Sequence, residues 1–187
     1  MSEEKHGMQD VLNAEEQKLL KGIAREAISS ELEKRPYSLS ETLPEVFEMP
    51  CGAFVTLTVR NRLRGCIGHI TATAPLSDTV RAVAVSAAFE DPRFSPITER
   101  EWADIDLEVS VLTPLERVEN IEDITPGVHG LYVRKGYQTG LLLPQVATEY
   151  GWNRETFLEQ TCRKAGLRKN DWKEKDTEVY WFKAQVF

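Results

Sequence analysis

Residues 53–71 read AFVTLTVRNRLRGCIGHIT and contain the strongest strand signal in the chain. Apolar residues at every second position alternate with Phe54, Thr56 and Thr58, and the β-branched residues on both sides predict a strand over 53–59. After the polar turn at 60–62, a second extended segment over 63–71 is expected to return antiparallel. Asn61 can adopt the left-handed conformation that such a turn requires. A hairpin is therefore the predicted start of the sheet.

Helical periodicity precedes and follows this hairpin. Asn13 and Glu16 form a capping-box pattern, after which apolar residues recur every three or four positions until Pro36 ends the predicted helix. Pro75 opens a second helix. This helix ends before residues 90–96, because two prolines in that loop disfavour helix in the residues before them.

The second half of the chain is richer in strand patterns. Residues 105–111 alternate apolar side chains with polar ones, and a hairpin over 130–133 and 138–143 has Gly136 at its turn. Asn153 and Gly166 bound another predicted helix, and a final strand is expected over 179–186. Since hairpins predominate over βαβ units, the predicted fold class is α+β, with an antiparallel or mixed sheet flanked by helices.

Composition narrows the class of protein. The 187 residues include 23 Lys+Arg and 30 Asp+Glu, a net charge of -7 that works against binding to nucleic acid or an anionic membrane. The polar segment 1–12 is interpreted as a leader without the apolar stretch of a signal peptide. Three cysteines are an odd number, so reduced thiols and a cytoplasmic location are expected.

The segment Arg-Gly-Cys-Ile-Gly, residues 64–68, is the strongest candidate for chemistry. Glycines weaken a strand but allow a ligand or another backbone to approach the residue between them, which is Cys66. In a regular strand Arg64 and Cys66 share a face, where a guanidinium would favour the nucleophilic thiolate. The alternative is structural, because cysteines are often buried and strand glycines often mark a bulge.

Other polar residues each allow two interpretations. His129, which lies between Gly127 and Gly130, is either an acid or base facing a cleft or an ordinary loop histidine. Glu108 and Ser110 line either a groove or an exposed sheet face.

Asp91 and Arg93 flank Pro92 and form either a local ion pair or, through Arg93, a site for an anionic ligand. Cys66 and His69 have the spacing of half a metal site, but a strand would place them on opposite faces. No metal is therefore expected, and no cofactor either, because the chain has no Walker loop or dinucleotide fingerprint.

Five motif blocks occur together in this sequence: LRGCIG at 63–68, DPRF at 91–94, EVSVLTP at 108–114, HGL at 129–131 and GLLLPQVA at 140–147. With these blocks in this order, the chain resembles the AMMECR-type domain family, whose microbial members are called AmmeMemoRadiSam system protein A. The resemblance implies one domain over 13–187 with two α+β subdomains of unequal size and a cleft between them.

The resemblance also implies a site, two functions and a set of partners. The residues of the implied site are Arg64, Gly65, Cys66, Gly68, Asp91, Arg93, Glu108, Ser110, His129 and Gln145. One hypothesis is a cysteine-dependent enzyme for a small substrate, with Cys66 as nucleophile and Arg64, Glu108 and His129 assisting. The other is a non-catalytic binding module for a Memo-type or radical-SAM partner. A homodimer is a further expectation, whereas nucleic acid and membrane are not expected partners.

Overall fold

The computed structural model describes residues 12–39, 42–71 and 73–187. Except for Leu12, the leader predicted over 1–12 lies outside the described residues. The chain divides into two compact units. The first runs through Leu112 and includes Gln185–Phe187, and the second is Thr113–Ala184.

Five helices and eight strands occur in the described residues, besides three short 3-10 turns. The helices are α1 (Ala14–Leu32), α2 (Leu76–Phe89), α3 (Glu99–Trp102), α4 (Pro144–Glu149) and α5 (Arg154–Lys164). The strands are β1 (Ala53–Val59), β2 (Arg62–His69), β3 (Ile105–Leu112), β4 (Glu116–Arg117), β5 (Gly130–Lys135), β6 (Gln138–Leu142), β7 (Glu178–Phe182) and β8 (Ala184–Val186).

The first unit contains a four-stranded sheet in the order β2-β1-β3-β8. β1 pairs antiparallel with both β2 and β3. One face of the sheet packs against α1 and α2, and its core side chains include Val55, Leu57, Leu107 and Val109. Because successive side chains of a strand point to opposite faces, the residues between these lie on the face away from the two helices, here called the outer face.

The β1–β2 hairpin closes through a two-residue turn. Arg60 and Asn61 both have positive φ, at 51° and 60°. The left-handed turn expected at Asn61 is therefore confirmed, and Arg60 shares it. This turn type matches the twist of the two strands but requires positive φ at both central positions.

The second unit contains a sheet in the order β4-β7-β5-β6, whose strand pairs are antiparallel. α5 packs against β5 and β6. Its buried face includes Phe157, Leu158 and Cys162, as the helical pattern predicts. Gly136 in the β5–β6 turn has φ of 58°, which agrees with the turn predicted there.

The α+β class is confirmed, and the sheets are antiparallel in the pairs given above. The single strand expected over 179–186 is two strands, and they belong to different sheets. The break is at Lys183, whose N–H donates to the Thr113 hydroxyl and whose carbonyl accepts from the Thr113 N–H. Among the described residues, no helix is long and apolar enough to cross a bilayer.

Candidate functional site

Cys66 lies in a cross-strand row with Thr56 and Glu108 on the outer face of the first sheet. Thr56 is the register partner of Cys66 in β2 and of Glu108 in β3. Directly opposed residues project to the same face, and two strand spacings separate Cys66 from Glu108 by about 10 Å at the backbone. The sheet thus brings together two of the residues that the sequence singled out.

The thiol of Cys66 has a hydroxyl partner. Thr56 Oγ1 donates a hydrogen bond to Cys66 Sγ at 3.3 Å, and Cys66 is partly exposed. Cys51 and Cys162 are both buried. Burial raises the pKa of the Cys51 thiol and raises the pKa of Cys162 to about 11. Cys66 is the most accessible of the three thiols.

Side chains from a loop hold the backbone of Cys66 at the free edge of β2. The Asp91 carboxylate accepts from the Cys66 N–H at 2.9 Å, and the Arg93 guanidinium donates to the Cys66 carbonyl at 3.1 Å. The two side chains satisfy groups that an adjacent strand would otherwise pair with. Cys66 is therefore fixed on both edges of its strand, by β1 on one side and by this loop on the other.

Asp91 and Arg93 also bind each other. The Arg93 guanidinium donates to both Asp91 carboxylate oxygens, at 2.9 and 2.7 Å, so the local ion pair is present. This hydrogen bonding, with smaller contributions from the N–H groups of Cys66 and Arg93, holds the pKa of the Asp91 carboxyl well below its usual range, although burial opposes the shift. The Asp91 side chain is 2% exposed and that of Arg93 is 53% exposed. The carboxylate is hidden while the cation still faces solvent.

Arg64 does not lie beside Cys66 as a regular strand would place it. The register of β2 shifts here, since Leu57 opposes Gly65 while Thr58 opposes Leu63, and Arg64 is the extra residue of a bulge. Its guanidinium donates to both oxygens of Glu101 and to the carbonyls of Ser95 and Pro96. Arg64 therefore ties the 91–96 loop to α3, and Arg93 is the guanidinium bonded to the backbone of Cys66.

The two glycines of the motif permit close packing. A Cβ on Gly65 would lie 2.1 Å from the Ala87 carbonyl oxygen, so glycine lets β2 approach the backbone of α2. A Cβ on Gly68 would lie 2.3 Å from the ring of Phe54 in the neighbouring strand. Both positions need a residue without a side chain for reasons internal to the first unit.

Glu108 and Ser110 both lie on the outer face, but their surroundings differ. Glu108 is exposed, whereas Ser110 is 2% exposed and opposes Phe54 in the register. Of these two residues, only Glu108 therefore presents a solvent-accessible polar group.

His129 and Gln145 belong to the second unit. His129 Nδ1 accepts from the Thr125 N–H at 3.1 Å, and its ring lies against Trp181 at 4.4 Å between centroids. Burial and the positive charge of Lys183 lower the pKa of His129, so the neutral imidazole is favoured. Gln145 is partly buried in the first turn of α4. The expected convergence of these two residues on Cys66 stays a prediction.

Two residues with a part in these contacts were not singled out from the sequence. Thr56, which bonds the Cys66 sulfur, appears there only as one polar residue of an alternating strand, and Glu101, which bonds Arg64, has no predicted role there. Both act through pairings of distant segments that local patterns do not encode. Among the residues that the structure describes, no three His, Cys, Asp or Glu side chains cluster as metal ligands.

Two antiparallel-sheet units and a cysteine held at a sheet edge define an α+β protein whose candidate site is a strand-borne thiol. The chain belongs to the AMMECR1 family, whose model matches residues 21–187. A protein of Methanothermobacter thermautotrophicus is 48% identical over 183 residues, which cover 94% of this chain and 95% of the relative. One of Aquifex aeolicus is 41% identical over 172 residues, covering 88% of each.

The fold is also similar to a crystal structure, that of the uncharacterized protein PH0010 from Pyrococcus horikoshii. The TM-score is 0.85 at 39% sequence identity, and the match covers 94% of this chain and 92% of that chain.

Proposed function

We propose that this protein is an enzyme in which Cys66 acts as the nucleophile on a small electrophilic substrate. The observation that carries the proposal is the hydrogen bond of 3.3 Å from Thr56 Oγ1 to Cys66 Sγ on a partly exposed thiol. The thiolate is the nucleophilic form of cysteine, and the Thr56 hydroxyl is placed to donate to it. An accessible sulfur with such a donor has the two properties that covalent catalysis needs.

Arg93 supplies the positive charge in this scheme. Its guanidinium reaches the Cys66 carbonyl, and the negative charge of a Cys66 thiolate contributes to the raised pKa of Arg93, after the larger effects of Asp91. Arg93 therefore takes the place beside Cys66 that was expected of Arg64, whose guanidinium is bonded to Glu101.

Glu108 is the proposed proton carrier. The backbone gap of about 10 Å between Cys66 and Glu108 leaves room above Thr56 for a small substrate. The Glu108 carboxylate first accepts the proton of the Cys66 thiol. The sulfur lone pair then forms a bond to the electrophilic carbon while the bond from that carbon to the leaving group breaks, and the leaving group keeps the electron pair of the broken bond and takes the proton from Glu108. Water then attacks the same carbon, the S–C pair returns to sulfur, and Glu108 takes the proton of the water.

Alkylation of the native protein tests this proposal. Iodoacetamide at neutral pH, followed by peptide mass spectrometry, is expected to label Cys66 about tenfold faster than free glutathione. Cys51 and Cys162 serve as internal buried controls and should stay unlabelled. Thr56→Val should slow the labelling of Cys66, whereas Thr56→Ser, which keeps the hydroxyl, should preserve it. Labelling of Cys66 no faster than glutathione would remove the nucleophile from the proposal.

A second candidate function is a binding module for a Memo-type or radical-SAM protein. It is favoured by the packing of Gly65 and Gly68 against Ala87 and Phe54, because these contacts explain the glycines without any ligand. In this case Cys66→Ser keeps full affinity for the purified partner protein in calorimetry. Both functions fit a cytoplasmic location, where a free thiol persists.

A further inference from the structure

Four arginine side chains line a cavity at the turn end of the β1–β2 hairpin. The cavity has a volume of about 610 Å³, within the size range of small-molecule sites. Its lining includes Arg60 and Arg62 from the hairpin end, Arg64 from the bulge and Arg100 from α3. The carboxylates that share it are Glu101 and Asp104, so the lining carries a net charge of +2 on a chain of -7.

Only one of the four arginine side chains is bonded to other groups of the residues that the structure describes. Arg64 is bonded to Glu101 and to two loop carbonyls. Within the described part of the chain, the guanidinium groups of Arg60, Arg62 and Arg100 have neither an ion pair nor a side-chain hydrogen bond. Three guanidinium forks thus border one concave space with their hydrogen-bonding capacity unused.

The backbone of Arg60 is an independent sign that this side chain has a role. Its φ of 51° belongs to a region that L side chains other than those of asparagine and aspartate rarely adopt, and glycine is the favoured residue there. An arginine at this position contradicts local preference. Such contradictions concentrate at functional sites, where the side chain is retained despite the strain.

The lining indicates the chemical class of the ligand. Arginine forks bind phosphate bidentately, and three of them suit a ligand with more than one negative charge. Leu63, 43% exposed, adds an apolar surface beside the charged groups. The net charge of -7 opposes a long polyanion such as nucleic acid, so a small molecule is favoured.

We propose that this cavity binds a small phosphorylated metabolite, with Arg60, Arg62 and Arg100 on the phosphate groups and Leu63 against the organic part. The proposal does not depend on the chemistry of Cys66. A protein with no nucleophilic thiol could still have this phosphate site, and a protein without this site could still have a nucleophilic thiol.

Calorimetric titration of the full chain with sodium pyrophosphate at low ionic strength tests the proposal. One site per chain is expected. Arg62→Ala and Arg100→Ala should each weaken binding about tenfold, the loss expected for one charge-assisted contact. Arg163→Ala is the matched control, since Arg163 is an exposed arginine at the end of α5 that does not line the cavity. It should leave the affinity unchanged.

Arg60→Gly separates binding from folding. Glycine relieves the positive φ at this position, so the variant should melt at or above the temperature of the unchanged protein while binding pyrophosphate about tenfold more weakly. Three results would overturn the proposal. The first is no binding at millimolar pyrophosphate, and the second is a loss of affinity in Arg163→Ala equal to that in the cavity variants. The third is tighter binding of citrate than of pyrophosphate, which would make a polycarboxylate the preferred ligand.

Discussion

The Asp91 carboxylate accepts a hydrogen bond of 2.9 Å from the backbone N–H of Cys66, 25 residues earlier in the chain. β2 is an edge strand, so this N–H faces away from β1 and would otherwise need water or another strand. A buried carboxylate fills that place and is itself held by Arg93. The loop and the cysteine are therefore parts of one hydrogen-bond network.

Replacement of Asp91 should show how much of the stability of this hydrogen-bond network depends on a hydrogen-bond acceptor and how much on negative charge. Asp91→Ala leaves the Cys66 N–H and the Arg93 guanidinium without their partner, whereas Asp91→Asn keeps an oxygen acceptor. We expect both variants to melt below the unchanged protein, and Asp91→Ala to be the lower of the two. Thermal unfolding followed by circular dichroism measures the order, and equal melting temperatures would show that the acceptor contributes nothing.

The lowered pKa of Asp91 predicts a dependence of stability on pH. The pKa of this carboxyl is lower in the folded than in the unfolded state, where it is about 3.9. Its ionised form therefore stabilises the fold fully at pH values above the unfolded-state pKa, and this stabilisation is lost as the pH falls towards the folded-state pKa. The difference in melting temperature between the unchanged protein and Asp91→Asn should therefore shrink between about pH 6 and pH 2.5. A difference independent of pH would mean that the ionised carboxylate is not stabilised by folding.

Gly65→Ala should be strongly destabilising. The added Cβ would meet the Ala87 carbonyl oxygen at 2.1 Å, and neither backbone can move without disturbing the sheet or α2. A loss of about 2–4 kcal/mol in the free energy of unfolding is expected, measured by urea denaturation. Gly22→Ala in α1 is the matched control, because its Cβ meets nothing within 4 Å. It should gain up to about 1 kcal/mol from helix propensity.

Phe94→Ala tests whether the 91–96 loop has an apolar anchor. The Phe94 ring is half-buried and lies 5.9 Å from the Arg64 guanidinium and 5.5 Å from that of Arg93. Lost burial and lost cation–π contacts together should cost about 1–2 kcal/mol by urea denaturation. Phe94→Leu keeps apolar volume without the ring, so its free energy of unfolding should lie between those of Phe94→Ala and the unchanged protein. A cost within about 0.5 kcal/mol for Phe94→Ala would show that the ring contributes no more than an ordinary surface residue.

Features governed by neighbours in sequence were predictable. The Asn13 capping box is present as expected, and Asn61 and Gly136 occupy positive-φ turn positions. Alternation placed Glu108 on the face opposite Leu107 in β3. In each case the physical cause acts within a few residues: a side-chain cap, a permitted φ, or the two-residue period of a strand.

Features governed by tertiary contacts were not predictable in the same way. The bulge at Arg64 depends on how β2 aligns with β1, and a shift of one residue changes which side chains meet. The end of β7 before Lys183 depends on Thr113, 70 residues earlier. Asp91 and Arg93 were recognised as a pair, but nothing in their spacing indicates that the pair binds the backbone of Cys66.

The discontinuous first unit has a consequence for synthesis on the ribosome. Val109 in β3 exchanges two backbone hydrogen bonds with Phe187, so the first sheet acquires its fourth strand only after the whole of the second unit has been translated. Residues 113–184, in contrast, are continuous and can fold as they emerge. The helices and hairpin of the cysteine-bearing unit are thus made first, but this unit is the last to complete its sheet. Until then β3 presents an unpaired edge to the nascent chain and its chaperones.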